Sequence, residues 1–411
     1  GLAAWFADII IDSTPYFLVL AVSPLLVLVV WLVSDGKRSG RRQVGWRRWL
    51  AAGPGDGGRG ALAVAVFVGG LSILASAHVA SRHPPAAPTV CFGELPPAYH
   101  DEYSYLFQAR TLIDGRLSYP SHPRLPRLFD QMHVLNEGRF ASRYFPGVGA
   151  WIAPFLAIGH PSQGHWLAGA IAAMAIFGAG RELAGNGTGL LAGVLAATSP
   201  GMAVFSNLLL SHHPTLAGLS VFLYLFLVMQ RNGCAGCAAA SGVGLALAML
   251  CRPLTAAAVA LPFGIWLAVA FVRGRIPTRL VASIAAPLAV GLAVMGVYNH
   301  AVTGSASRTP YQVYTDIHTP RHVFGFDNAR RGETRIEAMS AADRSRVLKN
   351  YDDWAQNLEP SLAAGSLLRH NLQARVWESW KWTVGIIPLV VVSVLLAFGG
   401  PPGGDRRWWL V

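Results

Sequence analysis

Charge is what this sequence has least of. Of its 411 residues only 13% are Asp, Glu, Lys or Arg, while 53% are hydrophobic and the mean hydropathy is +0.40. A soluble chain of this length folds as two or three domains with a charged content of roughly 25%. Half that density excludes a water-soluble globular protein and turns most of the surface toward lipid. Lysine is nearly absent, with three among 33 basic residues, a bias that carries no functional weight. Cysteine numbers four, too few for a disulfide framework. Cys234 and Cys237 form an isolated C-x-x-C with no histidine pair nearby, so they read as spare cytoplasmic thiols rather than a zinc or redox site. There is no internal repeat of the kind that marks secondary transporters, and the first apolar block has no signal-peptide cleavage pattern. The net charge of +12 does not point to nucleic acid, because the basic residues are scattered over loops and form no stripe.

Long apolar blocks are what the chain does have. A hydrocarbon core of ~30 Å takes about 20 helical residues to cross. Blocks at 16–33, 61–80, 165–183, 188–199, 214–229, 238–249, 254–272, 280–298 and 382–398 give about nine crossings, one of them short. The loop after the first block carries Lys37, Arg38, Arg41, Arg42, Arg47, Arg48 and Arg59 against Asp35 and Asp56, which places it in the cytoplasm. Arg181, Arg231 and the group Arg273, Arg275, Arg279 then fall on the same side, provided residues 147–159 do not cross. That segment, interrupted by Pro154, reads as interfacial or re-entrant.

The expected fold is therefore an all-α polytopic membrane protein with two extracytoplasmic helical portions. Its expected divisions are an N-terminal hairpin (1–80), a first outer loop with the interfacial segment (81–162), a helical core (163–299), a second outer portion (300–381) and a C-terminal helix (382–411). Amphipathic stretches at 338–348 and 362–372 make the second portion a small helical cap. Trp151, Trp166, Trp377, Trp380 and Trp382 read as interfacial belts rather than sugar platforms.

Chemistry concentrates in the first outer loop. After Pro96-Pro97, the run His100-Asp101-Glu102-Tyr103-Ser104-Tyr105-Leu106-Phe107-Gln108-Ala109-Arg110 reads as a helix starting close to Asp101. Asp101, Tyr105 and Gln108 then share one polar stripe, and Leu106, Ala109 and Ile113 a second stripe able to pack down. A carboxylate backed by hydrogen-bonding groups suits a hydroxyl or amine acceptor. The structural alternative is that Asp101 and Glu102 only complement the helix N-terminus, worth about 0.3–1 kcal/mol. His100, His122 and His133 have no metal-ligand spacing and are assigned no site.

This acidic run, followed by Ser142-Arg143-Tyr144-Phe145-Pro146-Gly147, resembles the polytopic GT-C glycosyltransferases, in particular the bacterial branch of aminoarabinose, protein O-mannosyl and rhizobial core-sugar transferases. The resemblance extends over roughly residues 61–398 and includes Ser199-Pro200, Arg252-Pro253, Tyr298-Asn299 and Thr303-Gly304. It implies transfer of a sugar from a polyprenyl-phosphate carrier to a lipid, glycan or protein acceptor at the outer face of the bacterial inner membrane. It makes Asp101 the acidic residue that orients or deprotonates the acceptor, with Glu102 as partner. Tyr105 and Gln108 join them as substrate-binding residues.

A lipid phosphate leaving group needs fixed positive partners. Arg252, placed at the outer membrane boundary, is the first candidate, followed by Arg143 and Arg110; snorkelling toward headgroups is the bland alternative for Arg252. His212 and His213 stand where many such enzymes carry an acidic residue, so the second-carboxylate role is unfilled. They can donate to phosphate or ligate a divalent cation, though adjacent helical positions point apart. A metal requirement is left open. The competing expectations are a non-catalytic subunit of a membrane complex on the same scaffold, and a transporter, which the scarcity of charge within the spans disfavours.

Overall fold

A computed structural model describes residues 58–365. The expected spans at 16–33 and 382–398, the basic segment 37–48, and Trp377, Trp380 and Trp382 lie outside the described residues. The chain divides into two compact units. One joins the chain up to Leu117 with Phe145–Tyr298, and the other joins Ser118–Tyr144 with the chain from Asn299 onward.

The first unit is helical: α1 (Gly58–Ala80), α2 (His100–Ile113), α3 (Pro146–Ala157), α4 (Pro161–Ala184), α5 (Asn186–Ala197), α6 (Pro200–Phe205), α7 (His212–Asn232), α8 (Ala235–Cys251), α9 (Pro253–Val272) and most of α10 (Thr278–Thr303). Proline at the first helical position opens α3, α4, α6 and α9, where a missing N–H costs nothing. Five of these helices, α1, α4, α7, α9 and α10, are long and apolar enough to cross a membrane. The helices of 12 to 17 residues, α3, α5 and α8, coincide with the segment at 147–159 and the blocks at 188–199 and 238–249. On α9 and α10, side chains such as Leu254, Leu261, Ile265, Val290 and Val297 face outward, an apolar surface that water does not tolerate at this extent.

Between the helices the contacts are made by small residues. A Cβ on Gly218 of α7 would lie 2.5 Å from the Gly244 carbonyl of α8, and one on Gly244 would lie 2.7 Å from the Gly218 carbonyl. The two backbones therefore touch, the close approach that small residues permit in membrane bundles. Beyond this crossing, Phe222 and Phe226 of α7 pack edge-on against Phe263 of α9, with Trp266 completing the cluster. Arg231, at the end of α7, pairs with Glu182, at the end of α4, at 3.0 Å. Those two C-termini lie side by side, so the chain from α5 through Ser211 must return the full length of α4 even though α5, at 12 residues, spans only about 18 Å.

The second unit departs from the all-α expectation. It contains a three-stranded antiparallel sheet, β1 (Tyr119–Pro120), β2 (Val134–Asn136) and β3 (Arg139–Ser142), in the order β1-β3-β2. Gly138, at φ 76°, makes the tight β2–β3 turn. The helices of this unit are α11 (Pro310–His318), α12 (Asn328–Ala338), α13 (Ala341–Arg344), α14 (Lys349–Asp352) and α15 (Pro360–Gly365). The Tyr314 hydroxyl of α11 accepts the His133 N–H at 3.0 Å, just before β2. That bond and the sheet explain why residues 118–144 belong with the segment after 299 and not with residues 81–117. The stretch 338–348 is not one helix, because Met339 is extended and Ser340 caps a new turn through Asp343.

Candidate active site

Helix α2 opens where the prolines predict. Tyr99 is extended, and its N–H and that of Ala98 both donate to Oε1 of Glu102, at 3.1 and 2.9 Å. The other oxygen, Oε2, accepts the Leu209 N–H at 2.8 Å. Glu102 is 2% exposed, so its carboxylate is engaged by backbone and closed to an acceptor. Burial pushes its pKa up, the three N–H donors pull it down, and the charge of Asp101 adds to the rise; the net direction is upward. The expected catalytic partner of Asp101 is thus built as a clamp on the loop between α6 and α7.

His165, a residue for which the sequence offered no signal, closes the same loop from the other side, with Nε2 2.7 Å from the Leu210 carbonyl. The backbone on either side of the Leu209–Leu210 peptide is therefore fixed by buried side chains from α2 and α4. The next residue, Ser211, precedes the first turn of α7 without a capping bond from its side chain and hydrogen-bonds the Tyr105 hydroxyl instead. Burial raises the pKa of Tyr105, the carboxylate of Asp101 pushes it the same way, and Ser211 and the Arg252 guanidinium oppose the rise. An acid and a cation thus both act electrostatically on one buried phenol. Asp101 itself is half-buried.

Arg252 sits at the break between α8 and α9. Its φ of −146° and ψ of 82° reflect Pro253, which forbids a helical conformation in the residue before it. The side chain is exposed and enters none of the ion pairs among the described residues. The break is held from beneath by α3: a Cβ on Gly147 would fall 2.7 Å from the Leu250 carbonyl carbon and 2.8 Å from Cys251 Sγ. Glycine in the Tyr-Phe-Pro-Gly element thus lets α3 reach the end of α8.

The remaining candidates separate. Gln108 is buried and engaged at both ends, donating to the Tyr298 hydroxyl at 2.7 Å and accepting the Gly149 N–H at 3.1 Å. It joins α2 to α3 and α10, and its burial closes it to a substrate. Arg110 is exposed, and nine residues from Asp101 puts it on the opposite face of α2, some two and a half turns away. The two helix stripes are not divided as expected: Tyr105 and Gln108, from the polar one, are buried together with Ala109 from the other, whereas Ile113 is exposed. His212 is exposed and stands edge-on to Phe205, while His213 is 2% exposed with neither ring nitrogen in normal hydrogen-bond geometry.

Arg143 belongs to the second unit. Its guanidinium lies over the rings of Tyr311, Tyr314 and Tyr144, at 4.3, 4.7 and 5.3 Å from their centroids. Burial opposes its charge, and the electron-rich phenols outweigh that, so the pKa stands above the ordinary arginine value. The cation is held on π faces, with Nε and Nη1 buried and outside hydrogen-bond geometry. Trp151 and Trp166 spend their indole N–H groups on the Gly164 carbonyl and Asn207.

No group of three or more His, Cys, Asp or Glu side chains is placed to hold a metal ion among the described residues. No protein-family model matches the chain, and no curated protein does.

Proposed function

We propose that this chain is an integral membrane glycosyltransferase of the GT-C type. In this reading it crosses a bacterial inner membrane about nine times and passes a sugar from a polyprenyl-phosphate carrier to an acceptor outside the cytoplasm. The observation that carries the reading is that Asp101 and Arg252, from different parts of the fold, both act electrostatically on the buried Tyr105 phenol. An inverting transfer needs a base on the face of the sugar opposite the leaving phosphate and a positive group where phosphate charge develops. Asp101 supplies the first and Arg252 the second, and Tyr105, fixed through Ser211, is the phenol on which both act. An aspartate is a weak base at neutral pH, so its help comes late in the transition state, as the acceptor proton becomes acidic.

Glu102 and Gln108 are positioning residues in this scheme, and His212 is the exposed imidazole able to donate to phosphate. A non-catalytic subunit on the same scaffold is the second reading. It is favoured by the absorption of Glu102 into backbone hydrogen bonds, which takes one of the two expected carboxylates out of the chemistry.

The test compares Asp101→Asn and Arg252→Ala with the unsubstituted protein in the producing cell. Both variants should insert normally, and both should lose the outer-surface glycan that depends on this protein. An unchanged glycan profile in a correctly inserted Asp101→Asn variant would sink the enzyme reading, and co-purification in fixed ratio with a larger complex would favour the subunit.

A further inference from the structure

We infer that Cys234 and Cys237 are a redox-active dithiol that exchanges with small-molecule disulfides, at a site separate from the Asp101 constellation and independent of the glycosyltransferase reading. The pair lies in the turn between α7 and α8. Gly233, at φ 62°, ends α7 in the left-handed conformation, and Cys234 then takes the cap position of α8. Its Sγ accepts the Cys237 N–H at 3.1 Å, the place a serine or aspartate oxygen usually fills. A helix start offers unsatisfied N–H groups and a positive dipole end, both of which favour a sulfur anion over a thiol.

Two thiols at this spacing have one further property. The Cys234 sulfur already rests on the amide of the residue it would bond, and residues three apart on one helical turn bring their Cβ atoms within about 5–6 Å, a small adjustment from disulfide geometry. Both cysteines are unpaired and partly exposed, and Ala235 and Gly236 between them are exposed. Hydrogen bonds from the Cys237 thiol and amide and from the Gly236 amide hold the Cys234 pKa below the ordinary thiol value. Burial and the Cys234 sulfur push that of Cys237 up. Such asymmetry divides the labour between an attacking outer thiol and a resolving inner one. Zinc is a poor fit, since the pair has no third or fourth ligand among the described residues.

The exchange balances with a disulfide RSSR as oxidant. The Cys234 thiolate attacks one sulfur, the S–S bond breaks, and RS⁻ leaves with the electron pair, giving a mixed disulfide. Cys237 then loses its proton and attacks Cys234 Sγ, expelling the second RS⁻. Two protein thiols become one disulfide, and RSSR becomes two RSH.

The test treats the full-length protein in detergent with oxidised glutathione, then quenches with acid, alkylates and measures mass. Two of the four thiols should escape alkylation together, at Cys234 and Cys237, with no glutathione adduct retained, and dithiothreitol should restore both. Cys237→Ser should trap a glutathione adduct on Cys234, while Cys234→Ser should form neither disulfide nor adduct under the same conditions. Cys91, partly exposed but paired with no second cysteine, is the internal control. Full alkylation of all four thiols, a glutathione adduct persisting on Cys234 of the unsubstituted protein, or equal reactivity of Cys91 and Cys234 would overturn the proposal.

Discussion

Glu102 and Leu209 stand 107 positions apart in sequence, and a 2.8 Å hydrogen bond from the Leu209 N–H to the Glu102 carboxylate joins them. Because the other Glu102 oxygen also accepts from backbone, glutamine cannot stand in: its NH₂ would oppose an N–H donor. Glu102→Gln should therefore cost about 1–3 kcal/mol, the penalty of a buried group left without its partner. The measurement is thermal unfolding in detergent, and an unshifted midpoint would show that Glu102 is not a clamp.

Gly149 and Gln108 make a second prediction, this one about coupling. A Cβ on Gly149 would lie 2.5 Å from Gln108 Oε1, so Gly149→Ala should destabilise by about 1–3 kcal/mol through forced displacement of the amide. Gln108→Ala loses the bonds to Tyr298 and Gly149 but removes the obstacle. In that background Gly149→Ala should cost little, and the double-mutant cycle should be strongly non-additive. Additive losses would mean that the steric account is wrong.

The elements that were legible in the sequence are those whose signal is local. Residues 61–80 and 254–272 became Gly58–Ala80 and Pro253–Val272, because apolar length and flanking prolines and glycines mark a helix without reference to its neighbours. The start of α2 was legible for the same reason. Which of its stripes packs inward was not: Tyr105 and Gln108 are buried because Ser211, Tyr298 and Gly149 arrive from other helices to bond them. The sheet was missed because two to four residues per strand carry too little alternation to stand out. His165 was missed because its role exists only where Leu210 meets it. Ser211 had a visible signal, a serine just before an apolar run, which marks a helix cap and says nothing about Tyr105.

Arg143 tests whether shape or charge holds the aromatic nest of the second unit. Lysine keeps the charge and loses the plane that lies over Tyr311 and Tyr314. Arg143→Lys should lower the stability of this unit by about 0.5–2 kcal/mol. Hydrogen exchange over 299–322 would report it, and unchanged protection would assign the nest to charge alone.

His318 gives the second unit a dependence on pH. Burial lowers its pKa, against the Arg346 carbonyl 3.0 Å from Nδ1 and the charge of Asp130, with Arg143 adding to the fall. A histidine that resists protonation when folded binds fewer protons than the unfolded chain. Its contribution is therefore full above the ordinary value near 6.5 and is lost as pH falls below it toward the folded value. Exchange protection around α11 should weaken from pH 7.5 to 5.5 after correction for intrinsic rates, and His318→Gln should flatten that slope. A slope unchanged by the substitution would assign the acid sensitivity to another group.

His212 and His213 are chain neighbours with opposite expected phenotypes. The first is exposed, so His212→Ala should leave the unfolding midpoint within the range of ordinary surface changes, about ±0.5 kcal/mol. If it donates to the carrier phosphate, the same change should lower transfer about tenfold, the loss of one hydrogen bond to a charged group. The second is enclosed by α4 and α1: a Cβ on Gly169 would lie 3.3 Å from its Cδ2 and 3.4 Å from Ser72 Oγ. A buried imidazole whose one polar partner, the Met202 backbone, lies outside ordinary hydrogen-bond geometry recovers little of its desolvation energy, so His213→Leu, of similar size and apolar, should be neutral or stabilising and should leave transfer intact. Loss of transfer in a well-folded His213→Leu variant would reverse the assignment and give the buried ring a role in the chemistry.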